Sequence, residues 1–378
     1  MAGAGKTNRI LLVTGGGAHD FDAGRAALLA CLDRSGRFEV EEARLTEAGV
    51  EAFASLSPDK TDAVLLYTQG GKLTDAQEQG LINYVESGGG LVGIHCANDS
   101  FRDNAGFRKL IGSKFIGHPP GVFRFAVAFT LEAKEGGDPI AVRADDFTIE
   151  DEHYQIELTN DVSVFAESML RGQAVPMGYR RTQGKGTVVY LANGHFVGSL
   201  TNPNFQRMLE RGLREAAGDK LETGTVKAGI LGYGGAFNMG RQHAQSINAQ
   251  LGMETVAVCD LDPARTDQAR EELGEDIRTF NDMDRFLADG GFDLVVVILP
   301  HNLHAKACIG ASEGGKHVVT EKPFCIPLEE ADAMVAAADK AGTMLSCYHN
   351  RRWDGFFLRL FEAVRGGNVG EVYHVDCA

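Results

Sequence analysis

The sequence predicts an α/β protein built from two consecutive sheets, the second of them doubly wound and parallel. Three observations carry that prediction. A chain of 378 residues has room for two or three domains, each with its own core. Short apolar runs alternate along it with segments of helical period. The alternation stops at the polar stretch 218–224 and then restarts.

In the first half, the runs at 10–14, 63–68 and 91–95 read as buried strands, and 24–34, 75–87 and 204–217 as helices. The block containing 123–130, 162–167 and 177–181 is richer in strand than in helix, and 186–192 supplies a last apolar strand. A mixed sheet with a strand-rich insertion is expected. Residues 1–8 are small and polar and are expected to be disordered, 9–218 to form the first domain, and 219–225 the linker. From Val226 the alternation is strict, with strands at 226–231, 255–259, 294–299, 317–320 and 344–348. Helices begin at Met239 and Pro263 and cover 304–313 and 328–341. Such a succession specifies a parallel sheet, here assigned to 226–350. A helix at 359–365 and a strand at 370–375 place the beginning of a further domain in 351–378.

Composition narrows the function. Aspartate and glutamate number 52 against 37 lysines and arginines, a net charge of −15 that repels nucleic acid and anionic membrane surfaces. No apolar stretch approaches the roughly 18 residues of a membrane span, and the first residues lack the apolar core of a signal peptide. A cytoplasmic protein acting on a small molecule is expected. The seven cysteines are scattered without a Cys-x-x-Cys pair, which fits reduced thiols and excludes a zinc knuckle.

Gly232-Tyr233-Gly234-Gly235 follows the predicted strand 228–231, and Gly240 opens the next helix. Glycines at such a turn let the backbone approach a pyrophosphate, which then sits at the positive end of the helix. The spacing is Gly-x-Gly-x5-Gly, three residues longer than the common fingerprint. Asp260 closes the second strand 20 residues after Gly240, where a carboxylate holds ribose hydroxyls. NAD is therefore the expected cofactor; Arg265 nearby leaves NADP open.

Further along stand Pro300-His301-Asn302-Leu303-His304, Gly315-Lys316-His317-Val318-Val319 and Glu321-Lys322-Pro323. With these residues the chain resembles the Gfo/Idh/MocA family of sugar and polyol oxidoreductases, from Val226 to about Tyr373. The resemblance implies that Lys322 lies beside the nicotinamide and the substrate hydroxyl and assists proton transfer. It implies that Glu321 orients the turn, that Pro323 follows a cis bond, and that Pro300, Asn302 and His304 line the cofactor cleft. Members of that family carry a large substrate domain with a catalytic histidine in an Asp-x3-His motif. This sequence has no such motif, and it reads as a fragment lacking most of that domain.

In the first half, ligands are expected at the carboxyl ends of the strands. His19, His95 and His195 all fall there, His118 lies in a nearby loop, and Asp151-Glu152-His153-Tyr154 adds carboxylates and an aromatic ring. Imidazoles and carboxylates converging on one rim form a pocket that serves as acid and base or holds a divalent ion. No ligand spacing typical of a metal motif is present, so no metal is assigned.

Gly15-Gly16-Gly17-Ala18-His19, Gly88-Gly89-Gly90-Leu91-Val92-Gly93-Ile94-His95, Asp151-Glu152-His153-Tyr154 and Gly184-Lys185-Gly186 with Gly194-His195 are similar to the ThuA-like trehalose-utilisation family. The likeness covers 9 to about 218 and implies a class I glutamine-amidotransferase-like, flavodoxin-like fold. Amidotransferases present a nucleophilic cysteine at a Gly-x-Cys elbow; here His95 occupies that place and Cys96 comes one residue late. Cys96 is expected to be a small buried hydrophobe.

The two resemblances together describe a carbohydrate-processing fusion, expected to act as a homo-oligomer. The second domain would oxidise a sugar hydroxyl with NAD(P), and the first would handle the sugar or its keto product through His19, His95, Glu152 and His195. The alternative is a module that senses a nucleotide and a sugar without turnover.

Overall fold

Two apolar strands buried along nearly their whole length, β1 (Asn8–Gly15) and β3 (Ala63–Thr68), form the centre of the first sheet. Burial on both faces is the mark of a parallel sheet covered by helices on each side. The computed structural model describes residues 7–378 except 143, 222–223, 235–237, 251, 366, 368 and 377–378. The chain divides into two units, one running to Gly224 and one beginning at Thr225.

The first unit adds β2 (Phe38–Arg44), β4 (Gly90–Ile94), β5 (Ser113–Gly117), β6 (Phe123–Phe129), β7 (Phe147–Asp151), β8 (Gln155–Leu158), β9 (Ser163–Leu170), β10 (Gln173–Gln183) and β11 (Gly186–Leu191). Nine of these strands form one sheet in the order β2-β1-β3-β4-β11-β10-β9-β6-β7. From β2 to β11 the pairing is parallel; from β11 to β7 it is antiparallel. The expected mixed sheet is present, and its strand-rich part is the antiparallel half. Strands β5 and β8 pair separately as a two-stranded ribbon.

The second unit is a six-stranded parallel sheet of β12 (Val226–Leu231), β13 (Met253–Cys259), β14 (Arg278–Phe280), β15 (Leu294–Val297), β16 (His317–Thr320) and β17 (Leu345–Cys347). Its order is β14-β13-β12-β15-β16-β17. Alternate residues feed two cores on opposite faces. Ala228, Ile230, Leu294 and Val296 pack with Ala244 and Ile247 of one helix, whereas Leu231, Val295 and Val297 pack with Phe286, Ala307 and Met334 of others. That two-sided alternation is what a doubly wound sheet requires.

Several boundaries differ from expectation. Asn8 is buried in β1, donates its amide to Asp219 and its backbone N–H to Arg37, so it is not part of a disordered end. Asp219, expected in the linker, belongs to the first unit through that bond and another from Arg214. Residues 1–6 lie outside the described residues. The described residues of 370–376 form no strand. The six cysteines among the described residues are free thiols, and no helix there is long and apolar enough to cross a membrane.

Leu65 lies in the middle of β3 with no exposed surface. Leu65→Ala is expected to destabilise the first unit by about 2–5 kcal/mol, the usual range for a buried leucine that leaves a cavity. Urea unfolding followed by amide circular dichroism measures it.

Candidate functional site

In the second unit, the turn after β12 is built from backbone contacts only glycine permits. Gly232 adopts a φ of 99°, and a Cβ there would lie 2.1 Å from the carbonyl oxygen of Ile298. A Cβ on Gly240 would lie 2.4 Å from the Gly232 oxygen, so this glycine lets the next helix seat against the turn. The nearest atoms to a Cβ on Gly234 would belong to the flexible side chain of Arg265, and Gly235 lies outside the described residues. Asp260 does more than face the cleft. Its Oδ2 accepts the N–H groups of Tyr233 at 2.9 Å and Gly234 at 3.1 Å, and its Oδ1 accepts that of Asp262. The carboxylate therefore folds the loop it was expected to complement. Gly232, Gly234, Asp260, Arg265, Pro300 and Leu303 line a cleft of about 620 Å³.

Two predicted cleft residues lie elsewhere. Asn302 is exposed on the turn His301–Leu303 and is not among the lining residues. His304 is fully buried, with Nδ1 2.9 Å from the carbonyl of Pro323 and Nε2 2.9 Å from that of Leu299. It pins the Pro300 loop to the turn around Lys322 instead of lining the cofactor cleft.

That turn contains the cis Lys322–Pro323 bond. Glu321 is nearly buried; its Oε1 lies 2.9 Å from His243 Nε2, and its Oε2 accepts the Lys322 N–H and stands 3.6 Å from Lys322 Nζ. The Lys322 side chain is 63% exposed and opens onto a second cleft of about 570 Å³, shared with Met239, Tyr348, Arg351 and Arg352. His243 and Tyr348, whose rings meet at 4.4 Å, were absent from the sequence reading. A signal existed for His243, since it lies three residues after Gly240 on the buried face of the helix Met239–Asn248.

In the first unit, the histidines at the strand ends do meet. His95 follows β4 at an elbow with φ 47°, fully buried, and its Nδ1–H donates to the carbonyl of Ala192 at 2.8 Å. Its Nε2 stands 3.5 Å from Glu152 Oε2, and His195 Nδ1 stands 2.9 Å from the same oxygen without hydrogen-bond geometry. The His19 ring lies 5.1 Å from His95 and 4.6 Å from His195, centre to centre. His118 approaches the other oxygen of Glu152 at 3.4 Å. Asp151, fully buried, accepts the N–H groups of Gly194 at 2.7 Å and His195 at 3.2 Å and so places the His195 loop. Gln69, also unforeseen, accepts the Ala18 N–H and holds the loop of His19.

Burial, followed by the neighbouring His95 and His195, pulls the His19 imidazole down to about 4. Burial likewise lowers His195. Burial pushes the Glu152 carboxyl up, but its histidine neighbours outweigh this and hold it below the usual carboxylate value. Cys96 has no exposed surface, and burial raises its thiol well above the ordinary value. The elbow therefore offers an imidazole and no thiolate.

An imidazole–carboxylate rim on one α/β unit and a glycine-turn cleft on a Rossmann unit define a two-domain α/β chain whose second domain is of the dinucleotide-binding class. Family comparison agrees: residues 9–215 match the Trehalose utilisation family (ThuA), and residues 226–349 match the oxidoreductase family with an NAD-binding Rossmann fold (Gfo/Idh/MocA). The chain belongs to the ThuA family and carries a Gfo/Idh/MocA NAD-binding domain behind it. The NADP+-dependent scyllo-inositol 2-dehydrogenase of Bacillus subtilis is 30% identical over 148 residues, covering 39% of this chain and 40% of that one. The myo-inositol 2-dehydrogenase of Thermotoga maritima is 30% identical over 146 residues, 39% of this chain and 42% of that protein. Among solved structures, scyllo-inositol dehydrogenase from Lactobacillus casei with bound NAD(H) and scyllo-inositol is 27% identical, with a TM-score of 0.36 and coverage of 39% and 43%. The chain thus spans about 40% of the length of the curated relatives it matches.

Gly232→Ala adds a Cβ into the Ile298 carbonyl at a positive φ. It is expected to weaken NAD+ binding at least about tenfold, since such a substitution is strained whatever space is made. Calorimetric titration of the variant against the parent chain checks this.

Proposed function

We propose that the second unit oxidises a hydroxyl of a sugar or cyclic polyol with NAD(P)+, and that the first unit binds the same sugar or its keto product. The observation that carries the first part is the His243–Glu321–Lys322 series opening onto a cleft that Met239, next to Gly240, also lines. The donor set fits a dinucleotide, because the turn cannot accept a Cβ at Gly232 and a carboxylate, Asp260, lines the cleft. Gly232, Gly234, Asp260 and Pro300 would hold the cofactor, which when bound supplies the hydride acceptor. Lys322 donates a hydrogen bond to the substrate hydroxyl oxygen and stabilises the negative charge that grows there as the hydroxyl proton passes to water, which reaches the 63% exposed side chain. Glu321 holds the ammonium in place, and His243 holds Glu321. The inositol dehydrogenases among the relatives support a ring-shaped polyhydroxy substrate.

The first unit offers His19, His95, Glu152 and His195 around one small space. A ketone on a sugar ring acidifies the neighbouring C–H bonds and is readily polarised, so a keto sugar is a substrate on which such a rim has chemistry to perform. The second reading, a binding module without turnover, is favoured by the 63% exposure of the Lys322 side chain, which leaves this ammonium in water.

Titration of the full chain with NAD+ and NADP+, followed by absorbance at the reduced-nicotinamide band across a panel of inositols and disaccharides, tests the proposal. Binding with turnover is expected. Lys322→Met should lower turnover by about 10²–10³-fold with little change in dinucleotide affinity, the range for loss of one donor that stabilises a developing oxyanion. Binding without turnover would favour the sensing module, and binding of neither dinucleotide would overturn both readings. Arg265, packed beside Gly234 at the cleft that Lys306 also lines, is a cation placed to meet a 2′-phosphate. Arg265→Ala is expected to weaken NADP+ about tenfold more than NAD+, as loss of one charge-assisted contact would.

A further inference from the structure

We propose that His19, His95, His195 and Glu152 form a binding site for one divalent transition-metal ion, zinc being the best fit. One ligand atom from each residue lies within 4.8 Å of every other. The nitrogens concerned are orphans. Both nitrogens of His19, Nε2 of His95 and Nδ1 of His195 are buried without a hydrogen-bond partner among the described residues. Buried polar atoms in native proteins are almost always satisfied, so three imidazoles, each turning one unpaired nitrogen to a shared space beside a carboxylate, point to an occupant that accepts lone pairs.

The surroundings have the form of a metal centre's outer layer. The Nδ1–H of His95 donates to the Ala192 carbonyl, which fixes the tautomer whose lone pair is on Nε2, toward Glu152. The hydroxyl of Tyr190 donates to the His95 carbonyl at 2.6 Å, and Tyr67 donates to the Gly194 carbonyl at 3.0 Å, so the backbones on both sides of the site are held. His195 stands 2.9 Å from Glu152 Oε2 but off the hydrogen-bond direction, as two ligands of one ion do. Three imidazoles and one carboxylate select zinc or a neighbouring transition ion over magnesium or calcium, which prefer oxygen. The side chains of Glu152 and His195 retain 14% and 20% exposure, leaving one side open for an oxygen ligand from water or substrate. This site stands or falls independently of the keto-sugar reading.

The full chain, stripped with a chelator and dialysed, is titrated with Zn2+ in competition with a chromophoric chelator, and Co2+ is substituted for its visible spectrum. One tight ion per chain is expected, with cobalt bands of low coordination number. Glu152→Gln and His195→Ala are expected to weaken Zn2+ by at least about 100-fold, since even outer-layer partners cost about 10–100-fold. The exposed His374→Ala serves as a control that leaves the stoichiometry unchanged. Circular dichroism of each variant separates loss of ligand from loss of fold; Glu152→Gln, nearly isosteric, keeps the test valid if a histidine variant fails to fold. No tight ion, or an ion whose affinity and cobalt spectrum are unchanged in both folded ligand variants, overturns the proposal.

Discussion

Carboxylates that satisfy backbone N–H groups at strand ends hold both units' sites in shape. In the first unit Asp151, fully buried, accepts from Gly194, His195 and Glu152. In the second, Asp260 accepts from Tyr233, Gly234 and Asp262. A turn that leaves the sheet must find partners for N–H groups no longer in the ladder, and a charged acceptor offers the strongest bonds available. Each carboxylate thereby converts a flexible loop into a fixed one. The turn at Gly194–His195 and the turn at Tyr233–Gly234 are held by the same device.

The His95 elbow shows what that order supports. A histidine at φ 47° is in the left-handed region that side chains rarely adopt, a conformation costing on the order of 1–3 kcal/mol. It persists because Tyr190 takes the His95 carbonyl and Ala192 takes the ring N–H, so backbone and side chain are fixed from both sides. The same strand-to-turn geometry would present a nucleophile if a cysteine stood there. With histidine at the elbow, the thiol of Cys96 is turned into the core, and an imidazole faces the rim.

Much of the fold was legible because it is local. Alternation of apolar strand and helix read both sheets, and the spacing of Gly232, Gly240 and Asp260 read the dinucleotide turn, since these features act over one βαβ unit. The strand-end rule found His19, His95 and His195, and their convergence follows from the parallel order of β1, β4 and β11 near the sheet centre. What was not legible depends on partners remote in sequence. His243 meets Glu321 across 78 residues, and the place of His243 on the buried face of its helix does not announce that partner. His304 looked like a cleft residue from its place after Pro300, yet its ring is fully buried with each nitrogen 2.9 Å from a backbone carbonyl. The edge strand β2 was missed because its sequence, Phe-Glu-Val-Glu-Glu-Ala-Arg, is largely charged and exposed, as sheet edges tend to be. Metal ligation was not assigned for a related reason: the four groups come from four separate loops, so no spacing motif exists to be read.

The chemistry of the two units fits together without reference to their arrangement. Oxidation of a ring hydroxyl produces a carbonyl whose oxygen is a good ligand for a Lewis acid and whose neighbouring carbons are easily deprotonated. Under the proposed function, the Lys322 side chain and the dinucleotide cleft of the second unit make such a carbonyl. The first has imidazoles and a carboxylate gathered at the mouth of a rigid sheet, which is the equipment for recognising one. Under the proposed function, a covalent link between the two keeps them in fixed proportion and raises the effective concentration of one site for the product of the other. On that view the fusion follows from the reactivity of the intermediate, which is more useful to the chain when it is captured than when it diffuses away.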